Sequence, residues 1–499
     1  MSDVFVNLTA PNGLLYTQPT GLFINNEFVT SESGEMISSI NPADQEEIVS
    51  VSAASACDVD MAVQAARTAL SHSSWKSISP PQRGNLMIEL ANLIDKNKEI
   101  LAAIESWDNG KPYTAALNDD LEEVIGTFRY YAGWTDKIHG ETTNGTVSSQ
   151  KLAYTVRQPV GVVGQIIPWN FPLAMAAMKL APALACGNAI VMKAAEQTPL
   201  SILYLASIIK EAGFPPGVIN ILNGPGEITG SSLVTHPDVD MIAFTGSTAT
   251  GKEIMRLASG TMKNILLETG GKSPLIVFED ADLEQAVKWA CFASMYNAGQ
   301  ICTATSRILV HMKIMDQFVD LLKQAVTAIK VGDPFGDDTF QGPQISKAQF
   351  NRVLSYIEAG KSDGATVVTG GAALPGKGLF IEPTIFTNVN EDLSIWKDEI
   401  FGPVVVVKGF ASDHEAVRSA NNTIYGLGAA IFTKDIQRAH RIADDLAAGT
   451  VWVNSSNDGD VSVPFGGMKQ SGIGCELGKE GLQAYCQTKA VHINIGKML

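Results

Sequence analysis

Apolar residues recur at three- and four-residue steps through 58–71 and 80–106, the spacing that lines one face of an α-helix. From residue 159 the pattern changes. Short continuous apolar runs at 161–167, 188–193, 217–222 and 241–244 each end in glycine, proline or a polar turn, and helical patterns such as 200–212 follow them. Unalternating apolar runs of this length predict strands buried on both faces, and strands separated by helices predict a doubly wound parallel sheet. The alternation resumes with strands at 275–278, 404–407 and 450–453 and helices at 283–296, 413–421 and 437–447. The fold class is therefore α/β, with a second α/β unit over 271–470. The stretch 141–149, rich in threonine and serine, predicts an exposed hairpin, with 492–495 as a strand pairing with it.

Composition narrows the function. A chain of 499 residues leaves room for two to four domains at roughly 150 residues each. With 45% hydrophobic and 18% charged residues it can bury a large core, which excludes a disordered or coiled-coil protein. A net charge of −16 repels phosphate backbones and anionic lipid, so neither nucleic acid nor membrane is an expected partner. The most apolar long stretch, 173–192, is broken by Lys179, Pro182, Gly187 and Asn188, unlike a span of about 20 apolar residues. Residues 1–13 carry no basic lead or apolar run, so no secretory signal is expected. The six cysteines form no Cys-x-x-Cys pair and the seven histidines no His-x-x-x-His pair. Neither a disulfide framework nor a metal site is expected, and a cytoplasmic location fits.

Four features carry chemistry. Open α/β sheets bind ligands at the carboxyl ends of their strands, where helix N-termini offer unpaired N–H groups. Phe244-Thr245-Gly246-Ser247 stands at such a junction, and the turn 224–230 at another. Glycine-rich turns are also ordinary punctuation in these folds, so neither decides alone. Gly271-Lys272-Ser273 mimics the end of a Walker loop, but Leu266 stands where that loop needs glycine, which rejects an ATP site. Lys193 and Glu196 close a strand, where a carboxylate can accept both hydroxyls of an adenosine ribose; a solvated loop pair is the plainer alternative. Cys302 follows a helix in a loop, although a lone cysteine is more often a small buried hydrophobe. Glu268 is the only acid in the apolar run 265–271. Buried there, it would have a raised pKa suited to a general base; a strand-end carboxylate facing solvent is the alternative.

Together with Pro168-Trp169-Asn170-Phe171-Pro172, Gly299-Gln300-Ile301-Cys302, Glu399-Ile400-Phe401-Gly402-Pro403, Pro464-Phe465-Gly466-Gly467 and Ser471-Gly472, these segments resemble the NAD(P)-dependent aldehyde dehydrogenase superfamily, from Phe23 to Ile495. The resemblance implies a Rossmann-type cofactor domain (1–140 and 160–270), an α/β catalytic domain (271–470) and a small β oligomerisation arm (141–159 and 480–499), assembled as a homodimer or homotetramer. It implies Cys302 as nucleophile, Asn170 as oxyanion donor and Glu268 as general base. Ile166, Ile167, Pro168, Trp169, Lys193, Glu196, Gly226, Gly230, Phe244, Gly246, Ser247, Glu399 and Phe401 would line the cofactor site, with NAD preferred and NADP possible.

The implied substrate tunnel is Phe171, Met175, Met178, Tyr296, Ile301, Asp458 and Phe465. It is mostly apolar, so an uncharged aliphatic or aromatic aldehyde is the expected substrate. The expected reaction oxidises that aldehyde to the acid through a Cys302 thiohemiacetal and a thioester. The presence of Glu268 favours hydrolysis of the thioester over transfer to coenzyme A. Three rival readings are a semialdehyde dehydrogenase, which would want an arginine in the tunnel, an NADP-preferring biosynthetic enzyme, and an inactive relative serving as a binding or structural protein. The chain departs from the family pattern at Ala194, where proline is usual, at Thr269, where leucine is common, and at Cys475, where arginine is frequent. A hydrogen bond from the Thr269 hydroxyl to the Glu268 carboxylate is one arrangement this neighbour could make, and not the favoured one.

Overall fold

Residues 4–143, 151–496 and 498 are described in a computed structural model. Ser55 and Ser79 start the helices Ala56–Ser71 and Pro80–Lys96, each through a reciprocal capping box, with Asp58 and with Gln82. The single helix expected over 80–106 is two. Asn97 interrupts it by donating its side-chain amide to the Leu93 carbonyl at 2.8 Å, and Lys98–Asn109 then runs to a left-handed Gly110.

The first sheet has eight strands. Its five parallel strands lie in the spatial order Asn264–Glu268, Met241–Thr245, Val162–Ile166, Ala189–Lys193, Ile219–Leu222. The winding reverses between Val162–Ile166 and Met241–Thr245, the switch point at which doubly wound sheets hold ligands. Antiparallel Leu22–Ile24 and Glu27–Val29 extend one edge, and Gly472–Ile473 closes the other. Successive strand residues feed opposite cores. Val163, Ile190 and Met192 join the helices Pro172–Ala185 and Leu200–Glu211, while Val162 and Val191 join Ala56–Ser71 and Thr248–Ala258.

The second sheet runs Thr366–Thr369, Thr384–Thr387, Val404–Phe410, Arg307–His311, Pro274–Val277, Gly428–Phe432, Thr450–Val453, and is parallel except for its first pair. Besides Thr384–Thr387 and the edge strand Thr366–Thr369, two of its inner strands escaped the sequence pattern. Arg307 opens one of them with a fully buried guanidinium, which donates to the carbonyls of Lys272, Ser419 and Ala420 at 2.8–3.2 Å. Gly-Ala-Ala-Ile-Phe at 428–432 is the other, too rich in small residues to read as a strand.

In a third sheet, Cys486–Asn494 pairs along its full length with Lys151–Pro159, whose other edge takes Thr142–Thr143. The expected partnership of 492–495 with the hairpin is thus corrected. The strand Lys151–Pro159 lies between them and satisfies the backbone of both. Residues 144–149 of the expected hairpin lie outside the described residues. Among the described residues no helix is long and apolar enough to cross a membrane, and no His, Cys, Asp or Glu group is arranged to hold a metal. All six cysteines are free.

Candidate active site

Strand register brings Ile166, Lys193, Thr245 and Glu268 to one edge of the first sheet. Lys193 lies beside Ile166, Phe244 beside Ile166, and Glu268 beside Thr245. After Glu268 the chain crosses to the second sheet through Gly270 and Gly271, which pack against Glu399. A Cβ on Gly270 would come within 2.2 Å of the Glu399 carboxylate, which also accepts the Gly271 N–H at 3.0 Å. A cavity of about 600 Å³ opens beside this crossing. Glu268, Thr245 and Cys302 line it, together with all seven expected tunnel residues.

The Cys302 loop is fixed by amides. Asn297 and Ala298 adopt left-handed backbone (φ 49° and 56°), and a Cβ on Gly299 would sit 2.1 Å from the Gly402 carbonyl, so only glycine fits there. Asn170 donates its side-chain amide to the Gln300 carbonyl at 2.9 Å, while its own carbonyl accepts from Asn297 and Asn109 at 3.0 and 3.4 Å. The Gln300 carboxamide in turn accepts the Ile345 N–H at 3.0 Å. One amide N–H of Asn170 thereby anchors the loop and leaves the second to donate elsewhere. Burial pushes the Cys302 thiol up to about 12, with Glu399 and Glu268 adding to it.

Glu268 is 3% exposed, and among the described residues no donor comes within hydrogen-bond geometry of either carboxyl oxygen, the Gly467 amide acting from outside it. Burial holds its carboxyl well above the usual range and Glu476 adds to this, while Lys179 and the Gly467 amide pull the other way. The buried reading of Glu268 therefore holds and the solvent-facing one does not. The Thr269 hydroxyl donates to the Gln470 carbonyl at 2.7 Å, because it lies where the Gly472–Ile473 edge strand approaches, and it does not reach the carboxylate.

The expected cofactor residues follow the same edge. Lys193 is 3% exposed and donates to the Ala194 carbonyl at 2.9 Å and to Glu196 at 3.1 Å; the Glu196 side chain keeps 43% exposure. Ile167 continues the ladder by donating to the Lys193 carbonyl at 3.2 Å. Past Pro168, Trp169 meets Phe401 edge to face at 5.3 Å, and Phe401 is held at φ 62°. Gly246 lies over the Phe244 ring, where a Cβ would approach to 2.5 Å. Ser247 caps Thr248–Ala258 by accepting the Thr250 N–H at 3.1 Å. Gly226 opens a wide helical turn that ends at Gly230, itself packed on the Lys193 stem, and nothing stands within 4 Å of a Cβ on Gly226. A dinucleotide suits this edge. It offers an exposed carboxylate for ribose hydroxyls, a helix N-terminus and open space at Gly226 for phosphates, and a buried Thr245 hydroxyl without a partner.

The sequence reading missed several residues that shape the site. Lys179 and Glu476 form a fully buried ion pair next to Glu268. Lys179 showed itself only as the charge that breaks an apolar run. Lys111 pairs with buried Asp120 and lies 4.0 Å from the centre of the Phe171 ring. The tunnel is also less apolar than expected, since Asp119, Glu122, Glu123 and Asp460 line it besides Asp458.

A Rossmann-ordered sheet whose strand ends face a buried thiol and a buried carboxylate is the layout of a dinucleotide-dependent oxidoreductase. The chain belongs to the Aldehyde dehydrogenase family, whose sequence profile matches residues 28–491. It is 51% identical over 500 residues to an aldehyde dehydrogenase of Aspergillus niger, covering 100% of each chain. To the Saccharomyces cerevisiae protein named aldehyde dehydrogenase NAD(P)+ 1 it is 49% identical, over 96% of each. Its fold matches the NAD+ complex of the Bacillus cereus aldehyde dehydrogenase with a TM-score of 0.94 and 49% identity, over 96% of this chain and 97% of that one.

Proposed function

We propose that the protein oxidises an aldehyde to the carboxylic acid with NAD as acceptor, Cys302 acting as nucleophile and Glu268 as general base. The observation that carries this reading is the meeting of a cysteine and an unpartnered buried carboxylate in one cavity, at the dinucleotide edge of the sheet. The Cys302 sulfur adds to the aldehyde carbon, and the carbonyl oxygen becomes an alkoxide. The free amide N–H of Asn170 and the Cys302 backbone N–H stabilise that alkoxide, each such donor contributing about 3 kcal/mol in comparable sites. When bound, the nicotinamide ring supplies the hydride acceptor and a positive charge near the thiol. What remains on Cys302 is a thioester. Glu268 takes a proton from water, the resulting hydroxide attacks the acyl carbon, and the acid leaves as the thiol is restored.

A thiol at about 12 is almost wholly protonated at neutral pH, so it needs a proton acceptor as it attacks. Glu268 lines the same cavity and its charge acts on the thiol, so it fits that part too, releasing the thiol proton to solvent before it takes one from water. Residues 1–140 and 160–270 serve as cofactor domain, 271–470 as catalytic domain, and 141–159 with 480–499 as the arm that joins copies into a dimer or tetramer. Six free cysteines suit a reducing, cytoplasmic compartment. Among the described residues the cavity wall holds no lysine or arginine, which speaks against a semialdehyde bearing a carboxylate. Cys302→Ala tests the assignment. Turnover should vanish while NAD still binds, measured by NADH absorbance and by titration of cofactor; retained turnover in this variant would show that another group is the nucleophile.

A further inference from the structure

Among the described residues the cavity wall carries eight carboxylate residues and no lysine or arginine, although the whole chain has 36 basic residues to 52 acidic ones. Three of the eight have ammonium partners: Asp120 with Lys111, Glu476 with Lys179, and Glu122 with Lys98 at 3.4 Å. Asp119, Asp458 and Asp460 are exposed. Glu123 is exposed too, but burial against the wall pushes its carboxyl up to about 7, so it is fully charged only above that pH. None of the four has an ion-pair partner among the described residues. Asp119 accepts the Tyr296 hydroxyl at 2.8 Å, which fixes one carboxylate at the edge of an aromatic ring. Asp119 lies in the wide turn Ala116–Asp120 and Glu123 in the helix Leu121–Ala132 that follows it, and both line the cavity.

Two further observations point to a ligand rather than to an acidic surface. At the inner end of the same cavity, Glu268 is buried with both oxygens unpartnered. The aromatic lining, too, already binds a cation from behind, since the Lys111 ammonium lies 4.0 Å from the Phe171 ring centre, and Phe171 is stacked near Tyr296 at 6.5 Å. The wall thus offers exposed carboxylates outside, ring faces between, and the thiol within.

We propose that this rim selects aldehydes carrying a fixed positive charge, an ammonium or quaternary ammonium a few carbons from the carbonyl, and disfavours those carrying a carboxylate. The inference rests on the aldehyde-oxidising reading above and names its substrate class. The cation lies among Asp119, Glu123 and Asp458 against the Tyr296 ring, while the carbonyl carbon reaches Cys302. This replaces the uncharged substrate expected from the tunnel's apolar residues alone.

Three aldehydes test it with the whole enzyme and NAD: 4-trimethylammoniobutanal, its uncharged isostere 5,5-dimethylhexanal, and the smaller, anionic 4-oxobutanoate. At low salt, kcat/KM for the cation should exceed that for the isostere by about tenfold, and the anion should fall about tenfold below the isostere. At about 0.5 M salt the cation's advantage should shrink toward parity, because exposed carboxylates are screened. Glu123→Gln combined with Asp458→Asn should cut the cation-to-isostere ratio by about fivefold. A loss shared equally by both aldehydes would make these carboxylates structural and overturn the proposal, as would parity in the unmutated enzyme. If the isostere is oxidised without a cation advantage, the charge selection alone fails; if none of the three is oxidised, the aldehyde-oxidising reading fails with it.

Discussion

Lys179 and Glu476 are 0% and 2% exposed as a pair, and both act on Glu268: Glu476 holds its pKa up, Lys179 holds it down. Removing either partner leaves the other charge buried and uncompensated, a change that costs about 3–5 kcal/mol of stability. The two single substitutions therefore act alike on folding and oppositely on the base. Glu476→Gln removes a negative neighbour and leaves the Lys179 ammonium, so Glu268 ionises at lower pH. Lys179→Met leaves Glu476 unopposed, so Glu268 ionises at higher pH. Only the ionised carboxylate takes a proton from water, so the rate of acid release rises with pH through the Glu268 pKa. That rising limb should move to lower pH in Glu476→Gln and to higher pH in Lys179→Met.

The double substitution removes both charges. Its stability cost should fall below the sum of the singles by about 1–3 kcal/mol, and its pH limb should return toward that of the unmutated enzyme. Backbone pairing is not disturbed, since Glu476 bonds to Phe465 through N–H and carbonyl at 2.7 Å. Denaturant unfolding measures the stability, and hydrolysis of the acylated enzyme in single turnover measures the limb. Limbs that move in the same direction in both singles, or a double as costly as the sum, would refute the electrostatic coupling.

Two further outcomes follow from the site. Glu268→Gln should slow acid release far more than thioester formation, so a first-turnover burst of NADH should persist with little steady-state rate; equal slowing of both phases would make Glu268 structural. In cofactor choice, Glu196 in the proposed ribose-binding role would meet a 2′-hydroxyl in NAD but a phosphate in NADP, and like charges 4 Å apart cost about 4 kcal/mol at an effective dielectric near 20. Lys193, donating to Glu196 at 3.1 Å, offsets part of this, so NAD should exceed NADP by at least about tenfold in kcat/KM and Glu196→Ser should narrow the ratio; an NADP preference in the unmutated enzyme would contradict the role given to Glu196.

The strands of the first sheet were legible because each is buried on both faces, and continuous apolar runs such as Ala189–Lys193 leave little else to fit. Helices were legible where their caps were, as at Ser79. The break at Asn97 was not, since it depends on one side chain preferring the Leu93 carbonyl to solvent. Arg307–His311 hid because its first residue carries a charge, and only the folded chain supplies the three carbonyls that satisfy it. The C-terminal strand was expected, but its partner was not, because pairing between segments 300 residues apart leaves no local trace.

Cys302, Glu268 and Asn170 stand out in the sequence because each lies in a distinctive local string, and the folded chain brings their segments together as those strings imply. The character of the tunnel has no such string. Its charged residues come from the wide turn Ala116–Asp120, from the helix Leu121–Ala132 that follows it, and from the loop after Thr450–Val453. A turn of that width carries one residue more than a regular helical turn, and nothing in the string Ala116–Asp120 announces it. Asp120 turns inward to Lys111 while Asp119 and Glu123 stay exposed at the cavity. A net charge of −16 says that acids are in excess, not where they gather. Their concentration on one wall, with no lysine or arginine among the described residues, is the observation on which the proposed sorting of aldehydes by charge rests.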